Sequence, residues 1–275
     1  MQHRDLPAAD SAAVSSLPMI DALPIRGLSI GVGAPKVVVS ITSRTADEVA
    51  EQAAEIRASP HADMAELRLD HLDSVLCVTQ VVELVKTTCA ELSPKPLLVT
   101  FRSKTEGGER EFSDADYFAL YSAIIDGAPI DVIDIEMMKP QTYVAEAIAR
   151  AHQKGIAVIL SNHEFESTPT RSVIVGRLLR QQALGADILK IATMPQSAED
   201  VLTLMSASVE MKNHHARKPL LTMAMGALGI PTRLMGELTG SAFTYASIGS
   251  TSAPGQLEAK SVKSVLEIID HGSHR

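Results

Sequence analysis

The sequence predicts an α/β fold, a closed (β/α)8 barrel with a short N-terminal β-hairpin in front of it. Three observations lead there. From Val37 onward, eight apolar, β-branched runs alternate with helical segments, each strand-then-helix unit on the order of 30 residues. Polar or charged side chains stand at the ends of these runs: Ser40, Glu66, Arg68, Arg102, Glu136, His163 and Lys190. A barrel collects its reactive groups at that C-terminal mouth. Finally, 275 residues is long for an ordinary domain and normal for one barrel. The competing fold, an open doubly wound sheet, would usually carry a Gly-rich phosphate turn after its first strand, and none stands there.

Residues 1–24 mix Asp, Ser, Ala and Pro and read as a mobile tail, so the barrel domain is assigned to 25–275. Ile25 to Gly33 alternates apolar and small residues and suits the hairpin. The first run, Val37 to Val39, is followed by Thr45-Ala46-Asp47-Glu48, a capping-box signature that opens a helix. In the second run, Asp63 to Leu69, Glu66 and Arg68 fall at period two and share a face. The third, Pro96 to Phe101, ends at Arg102 and leads into a glycine-bearing loop, Lys104 to Arg110, that carries Glu106. A helix starts near Ser113, and the fourth run, Ile130 to Ile135, ends at Glu136. Helical periodicity over 141–154 stops at Gly155, and over about 170–184 it stops at Gly185, as αL caps require. Between them the fifth run, Ile156 to Leu160, leads into Ser161-Asn162-His163. Lys190 lies inside the sixth run. A helix opens at Ser197 and continues to about His215. The seventh run is Pro219 to Met225, with Arg233 just beyond. The eighth is Ala242 to Ile248, followed by a loop over 249–256 and a last helix over Leu257 to Ile269.

Composition narrows the function. Hydrophobic residues make up 45%, but aromatics only 3% with no Trp, so the core is built from Val, Ile, Leu, Ala and Met. Net charge is −8, and no basic tract of about five or six residues offers a nucleic-acid surface. No apolar stretch approaches the roughly 18 residues of a membrane-spanning helix, and the first residues lack the pattern of a secretory signal. A cytoplasmic protein is expected. Cys77 and Cys89 are read as small core residues of a reducing compartment rather than a disulfide framework.

Lys190 is the residue that points to chemistry. A cation inside a strand buried on both faces must find a use for its charge or lose it. Burial disfavours an ammonium, which frees an amine to attack a carbonyl; the alternative is a lysine that snorkels from the strand end to water. His163 comes from the adjacent strand, and neighbouring strands lie about 4.8 Å apart, so both side chains can reach one substrate. Amine beside imidazole suits Schiff-base chemistry, with the histidine moving protons. Glu106 could fix the histidine tautomer or stay a solvated loop residue. Arg102 and Arg233 are candidate carboxylate clamps or surface ion pairs, and Glu66 and Arg68 could pair with each other. A metal at Glu136 and His163 fits poorly beside a lysine and two arginines. His61, His71, His214 and His215 read as surface residues.

Seven segments together carry a family resemblance: GAPKVVVSI (33–41), AELRLDH (65–71), PLLVTFRSKTEGGE (96–109), SNHEF (161–165), LGADILKIATMPQ (184–196), LLTMAMG (220–226) and SAPGQ (252–256). From about Gly31 on, the chain resembles type I 3-dehydroquinate dehydratase, the third step of the shikimate pathway. The resemblance implies that Lys190 forms the Schiff base, that His163 donates and accepts the proton and that Glu106 orients His163. It implies substrate binding by Ser40, Glu66, Arg68, Arg102, Arg233, Ser252 and Gln256, with Arg233 on the substrate carboxylate and the SAPGQ segment closing over the site. It further implies a homodimer and a reaction on 3-dehydroquinate without cofactor or metal. Two other readings stand beside it: a class I aldolase, which would need a phosphate cup after strands seven and eight, and a barrel that only binds.

Overall fold

The computed structural model describes residues 20–249 and 256–273. Its hairpin pairs β1 (Leu23–Ile25) with β2 (Leu28–Ile30), so the first strand takes in the last two residues of the segment read as tail. The turn places Arg26 and Gly27 at φ 42° and 81°, the left-handed pair that a two-residue hairpin turn needs to match strand twist. Arg26 is held there by Asp131 at 2.8 Å.

The barrel strands follow in chain order: β3 (Lys36–Ile41), β4 (Met64–Arg68), β5 (Leu97–Thr100), β6 (Val132–Glu136), β7 (Ala157–Glu164), β8 (Ile188–Thr193), β9 (Leu220–Ala224) and β10 (Phe243–Ser247). Each is parallel to the next from β3 to β9, and β10 pairs back onto β3. Between β9 and β10 the circle closes by a bridge of Leu220 to Ser241, reinforced by Ala242 N donating to Leu220 O at 2.7 Å. A short β11 (Leu257–Glu258) takes the edge of β10 above that bridge.

Helices α1 (Ala46–Ala58), α2 (Val78–Leu92), α3 (Asp114–Gly127), α4 (Gln141–Gln153), α5 (Arg171–Ala183), α6 (Ala198–Glu210) and α9 (Ala259–Ser273) surround the strands. Thr45 and Glu48 form the full capping box on α1; Ser113 and Ser197 cap α3 and α6. Gly155 and Gly185 take φ 72° and 95° after α4 and α5, where a Cβ would be strained. Two short helices, α7 (Ile230–Leu234) and α8 (Gly236–Thr239), stand between β9 and β10, and α7 carries Arg233.

Alternation along the strands splits the apolar residues into two sets. One set, including Val38, Met64, Leu98, Val132, Ile159, Ile188 and Leu221, fills the barrel interior. Ile25 and Ile30 of the hairpin join this cluster and plug the N-terminal end. The other set packs the strands against the helices. Among the described residues no helix is long and apolar enough to cross a membrane.

Three expectations change. β7 continues four residues past Leu160, because Ser161 to Glu164 keep pairing with Lys190 to Thr193. Their polarity belongs to the mouth and does not mark a strand end. The last helix starts at Ala259, after β11, rather than at Leu257. Cys77 is the exposed residue preceding α2, and only Cys89 is buried; an N-terminal flank faces solvent where a position further along the same helix faces the sheet.

Candidate active site

Lys190 opposes Ser161 of β7 and points into the barrel mouth. It does not snorkel: the side chain is 4% exposed, and Nζ donates to Asp134 Oδ2 at 2.7 Å and to Tyr245 Oη at 3.4 Å. Asp134 was not anticipated. Its other oxygen accepts from Arg102 Nη2 at 2.9 Å and Ser161 Oγ at 2.6 Å. Burial alone would raise this carboxyl, but Arg102 and Lys190, helped by His163, hold it well below the usual carboxylate range.

Arg102 follows β5, and its guanidinium is buried and engaged on several sides. Besides Asp134 it donates from Nη1 to Glu136 at 3.0 Å, Ser161 at 2.9 Å and, more loosely, Glu106 at 3.4 Å. Ser103 fastens Glu136 further, through its backbone N at 2.8 Å and its Oγ at 2.6 Å. Arg102 therefore borders the cavity as an internal counterion, already paired with carboxylates, in place of a clamp open to a new one. The strand ends that carry these groups are pinned from behind. Tyr121 Oη accepts from Phe101 N and donates to Asp134 O, at 2.9 and 2.6 Å, and Tyr117 Oη accepts from Glu136 N at 3.2 Å. A buried phenol needs such partners.

His163 meets Glu106 as the sequence suggests, with Nδ1 and Oε2 2.9 Å apart, which leaves Nε2 for the cavity. The loop reaches this position because Gly107 follows Glu106 at φ 82° and lies flat under the Phe165 ring, where a Cβ would come within 2.0 Å. Gly108 sits as tightly on the Arg102 carbonyl, where a Cβ would come within 1.9 Å. Burial pushes the Glu106 carboxyl up to about 8, with Arg102 opposing and the Glu136 and Asp134 carboxylates adding to the rise. Burial, Arg102 and Lys190 push the imidazole well below its usual range. Both shifts favour the neutral forms, as expected of a site that disfavours extra charge.

Glu66 and Arg68 do not pair with each other. Arg68 makes a two-pronged contact with Asp70, at 2.8 and 2.7 Å. Asp70 also accepts from the backbone N of Arg102 and of Glu109, each at 3.2 Å, which ties the Glu106 loop to β4. Glu66 instead accepts hydroxyls from Ser40 at 2.7 Å, Thr100 at 2.8 Å and Tyr245 at 3.1 Å. These groups, with Gln256, line one cavity of about 330 Å³ at the mouth. Ser252 lies outside the described residues. His71, read as a surface residue, borders the cavity as well.

Arg233 closes the opposite side. It is buried, and its Nη1 has only weak acceptors, Met223 Sδ at 3.7 Å and Tyr245 O at 3.5 Å. Among the described residues its buried Nε has no hydrogen-bond partner. Burial pushes this guanidinium down from its ordinary value. Among the described residues no carboxylate lies within ion-pair distance of it. A buried guanidinium lacking its anion is a site for a ligand carboxylate. A separate groove between α3 and α4, about 420 Å³, holds Asp126 and Arg150 already paired with each other at 2.6 Å. The chemistry is at the mouth: an amine, an imidazole with an acidic partner, a carboxylate ringed by hydroxyls and a guanidinium with no carboxylate partner among the described residues.

Sequence reasoning missed Asp134 and Tyr245. Asp134 carried a signal, since it precedes Glu136 by two in the fourth run and so shares its face. Tyr245 had none beyond a polar tip inside an apolar strand.

Comparison with known proteins gives a consistent result. The profile of the family described as type I 3-dehydroquinase matches residues 37–273. A 3-dehydroquinate dehydratase of Syntrophotalea carbinolica is 42% identical over 245 residues, 89% of this chain and 96% of that protein. One from Salmonella paratyphi B is 42% identical, covering 89% and 97%. The crystal structure of the type I enzyme of Clostridium difficile, solved with covalently modified comenic acid, superposes with a TM-score of 0.90 at 37% identity. That alignment covers 92% of this chain and 100% of that one.

Proposed function

The chain belongs to the type I 3-dehydroquinase family, and from that premise we propose that Lys190, His163 and Glu106 are its catalytic residues. The reaction is the elimination of water from 3-dehydroquinate to give 3-dehydroshikimate, a step of the shikimate pathway, through the lysine Schiff base characteristic of the type I family. Family membership also removes the aldolase and the purely binding barrel from consideration.

In this reading the Lys190 amine attacks the ring ketone, and loss of water gives an iminium. The iminium draws electrons, so an adjacent C–H becomes acidic enough for His163 Nε2 to take its proton and leave an enamine. The enamine expels the β-hydroxyl, which departs as water with the proton that His163 returns. Hydrolysis of the conjugated iminium releases product and restores the amine. Arg233 holds the substrate carboxylate, while Ser40, Glu66, Arg68, Arg102, Ser252 and Gln256 bind or order the remaining groups. The observation that carries the reading is Lys190, buried at the mouth between Asp134 and Tyr245 and one inward step below His163.

The test is reductive trapping. Protein incubated with 3-dehydroquinate and borohydride should gain one covalent substrate mass, located by peptide mass spectrometry on Lys190. No adduct, or an adduct on another residue, rejects the assignment.

A pH dependence follows from the His163–Glu106 pair. With Glu106 protonated, the carboxyl donates to Nδ1, the ring proton sits on Nε2, and Nε2 cannot act as a base. With Glu106 ionised, Nδ1–H donates and Nε2 is free to accept. The ascending limb of kcat/KM should therefore have an apparent midpoint near 8. Glu106→Gln should remove that limb; a limb unchanged in the variant would assign it to another group.

A homodimer in the cytoplasm completes the proposal. The homodimer rests on the family likeness, and sedimentation reads the oligomer directly.

A further inference from the structure

Lys190 must shed a proton before it can attack, and among the described residues two side chains hydrogen-bond to its Nζ. Asp134 from β6 is at 2.7 Å and Tyr245 from β10 at 3.4 Å. Other charged or titratable groups that line the same cavity include Arg102 after β5, Glu106 on the loop that follows, His163 on β7, Glu66 and Arg68 on β4 and Arg233 on α7. Asp134 is a poor outlet. Its second oxygen faces Arg102 and Ser161, and the guanidinium can only donate.

Tyr245 is arranged differently. A carboxylate can only accept, so the one hydroxyl hydrogen of Tyr245 is directed at Glu66 Oε1, 3.1 Å away. That turns an Oη lone pair toward Nζ. Nζ lies 5.3 Å from the ring centroid. Burial, with the Glu66 and Asp134 carboxylates nearby, keeps the phenol protonated far above its usual range, so the hydroxyl passes a proton on without resting as an anion. Glu66 is ready to receive it. Its partners are the hydroxyls of Ser40, Thr100 and Tyr245, and each can turn from donor to acceptor when the carboxyl gains a hydrogen.

We propose that Tyr245 is a further catalytic residue, whose hydroxyl relays the Lys190 proton to Glu66 so that the amine meets the substrate ketone uncharged. The Nζ–H bond breaks as a new Oη–H bond forms, while the original Oη–H bond breaks and an Oε1–H bond forms on Glu66. No electrons are exchanged; an ammonium and a carboxylate become an amine and a carboxylic acid. When hydrolysis restores the free amine, the relay runs backward. The proposal rests on Lys190 being the Schiff-base residue.

The test is Tyr245→Phe in the full chain, which keeps the ring and removes only the hydroxyl. Adduct formation at Lys190 is followed by rapid quenching with borohydride across a pH series, beside the parent protein. At neutral pH the variant should form the adduct on the order of 100-fold more slowly, the scale of one lost proton-transfer group. The deficit should narrow as pH rises, because bulk base then takes the proton, and KM should stay within about twofold of the parent's. Glu66→Gln, which leaves the hydroxyl but removes its acceptor, should show the same narrowing deficit. Equal adduct rates in Tyr245→Phe and parent overturn the relay, as does a deficit that is constant with pH, since lost packing would behave that way. Absence of an adduct in the parent would instead overturn the assignment of Lys190 itself, and the relay with it.

Discussion

Lys190→Met is expected to abolish turnover while leaving a folded protein that still binds substrate. Methionine is unbranched and of similar length, so it refills the buried channel without a void. What disappears is the amine, and with it the covalent intermediate that divides one difficult elimination into easier steps. The loss should be at least on the order of 10⁴-fold in kcat, as for a nucleophile that the remaining groups cannot replace. Binding should survive because Arg233 and the hydroxyl ring around Glu66 do not depend on the lysine. Folding should survive because Asp134 keeps Arg102 at 2.9 Å and Ser161 at 2.6 Å, so no carboxylate is orphaned. Steady-state assay of product absorbance, with calorimetric titration of substrate, separates the two effects. Residual kcat within about tenfold of the parent would contradict a covalent role for Lys190.

The parts of this protein that could be read from sequence are the parts governed by local physics. Thr45 and Glu48 lie three apart and form their capping box whatever the rest of the chain does. Gly155 and Gly185 end their helices for a reason internal to each residue. Lys190 was conspicuous because a charge interrupts an apolar strand, and His163 became meaningful as soon as its strand was placed next door. What stayed hidden was decided by the closing of the barrel. Asp134 and Lys190 are 56 positions apart, and β6 and β8 come face to face only across β7 and Ser161. For the same reason the internal partners of Arg102 could not be read from the sequence. Its type suggested a ligand carboxylate, but the fold brings Asp134, Glu136 and Glu106 to it from within the chain. Glu66 and Arg68 share a face, yet Arg68 prefers Asp70, which sits just beyond the strand in a turn that periodicity does not describe. The Tyr245–Glu66 contact spans 179 positions and joins the last barrel strand to the second.

Asp134 is also where the largest loss of stability is expected. It is fully buried, and its two oxygens separate two buried cations, Arg102 and Lys190. Asp134→Ala removes the anion and leaves those cations facing each other. Arg102 retains Glu136 and Glu106, but Lys190 is left with the Tyr245 hydroxyl alone among the contacts named above. Removing one member of a buried ion pair costs about 3–5 kcal/mol, because the charge left behind has neither partner nor water. Asp134→Asn should recover only part of this: its carbonyl can serve one cation, while its amide turns N–H groups toward the other. The measurement is the shift in urea midpoint at unchanged m-value. A double variant, Asp134→Ala with Lys190→Met, gives the decisive comparison. Once the lysine charge is gone the missing carboxylate matters less, so the double variant should be more stable than the two single losses predict, by roughly 1–3 kcal/mol of coupling. Strict additivity, or an Asp134→Ala protein within about 1 kcal/mol of the parent, would mean that the ion pair at the centre of this site does not hold the barrel mouth together.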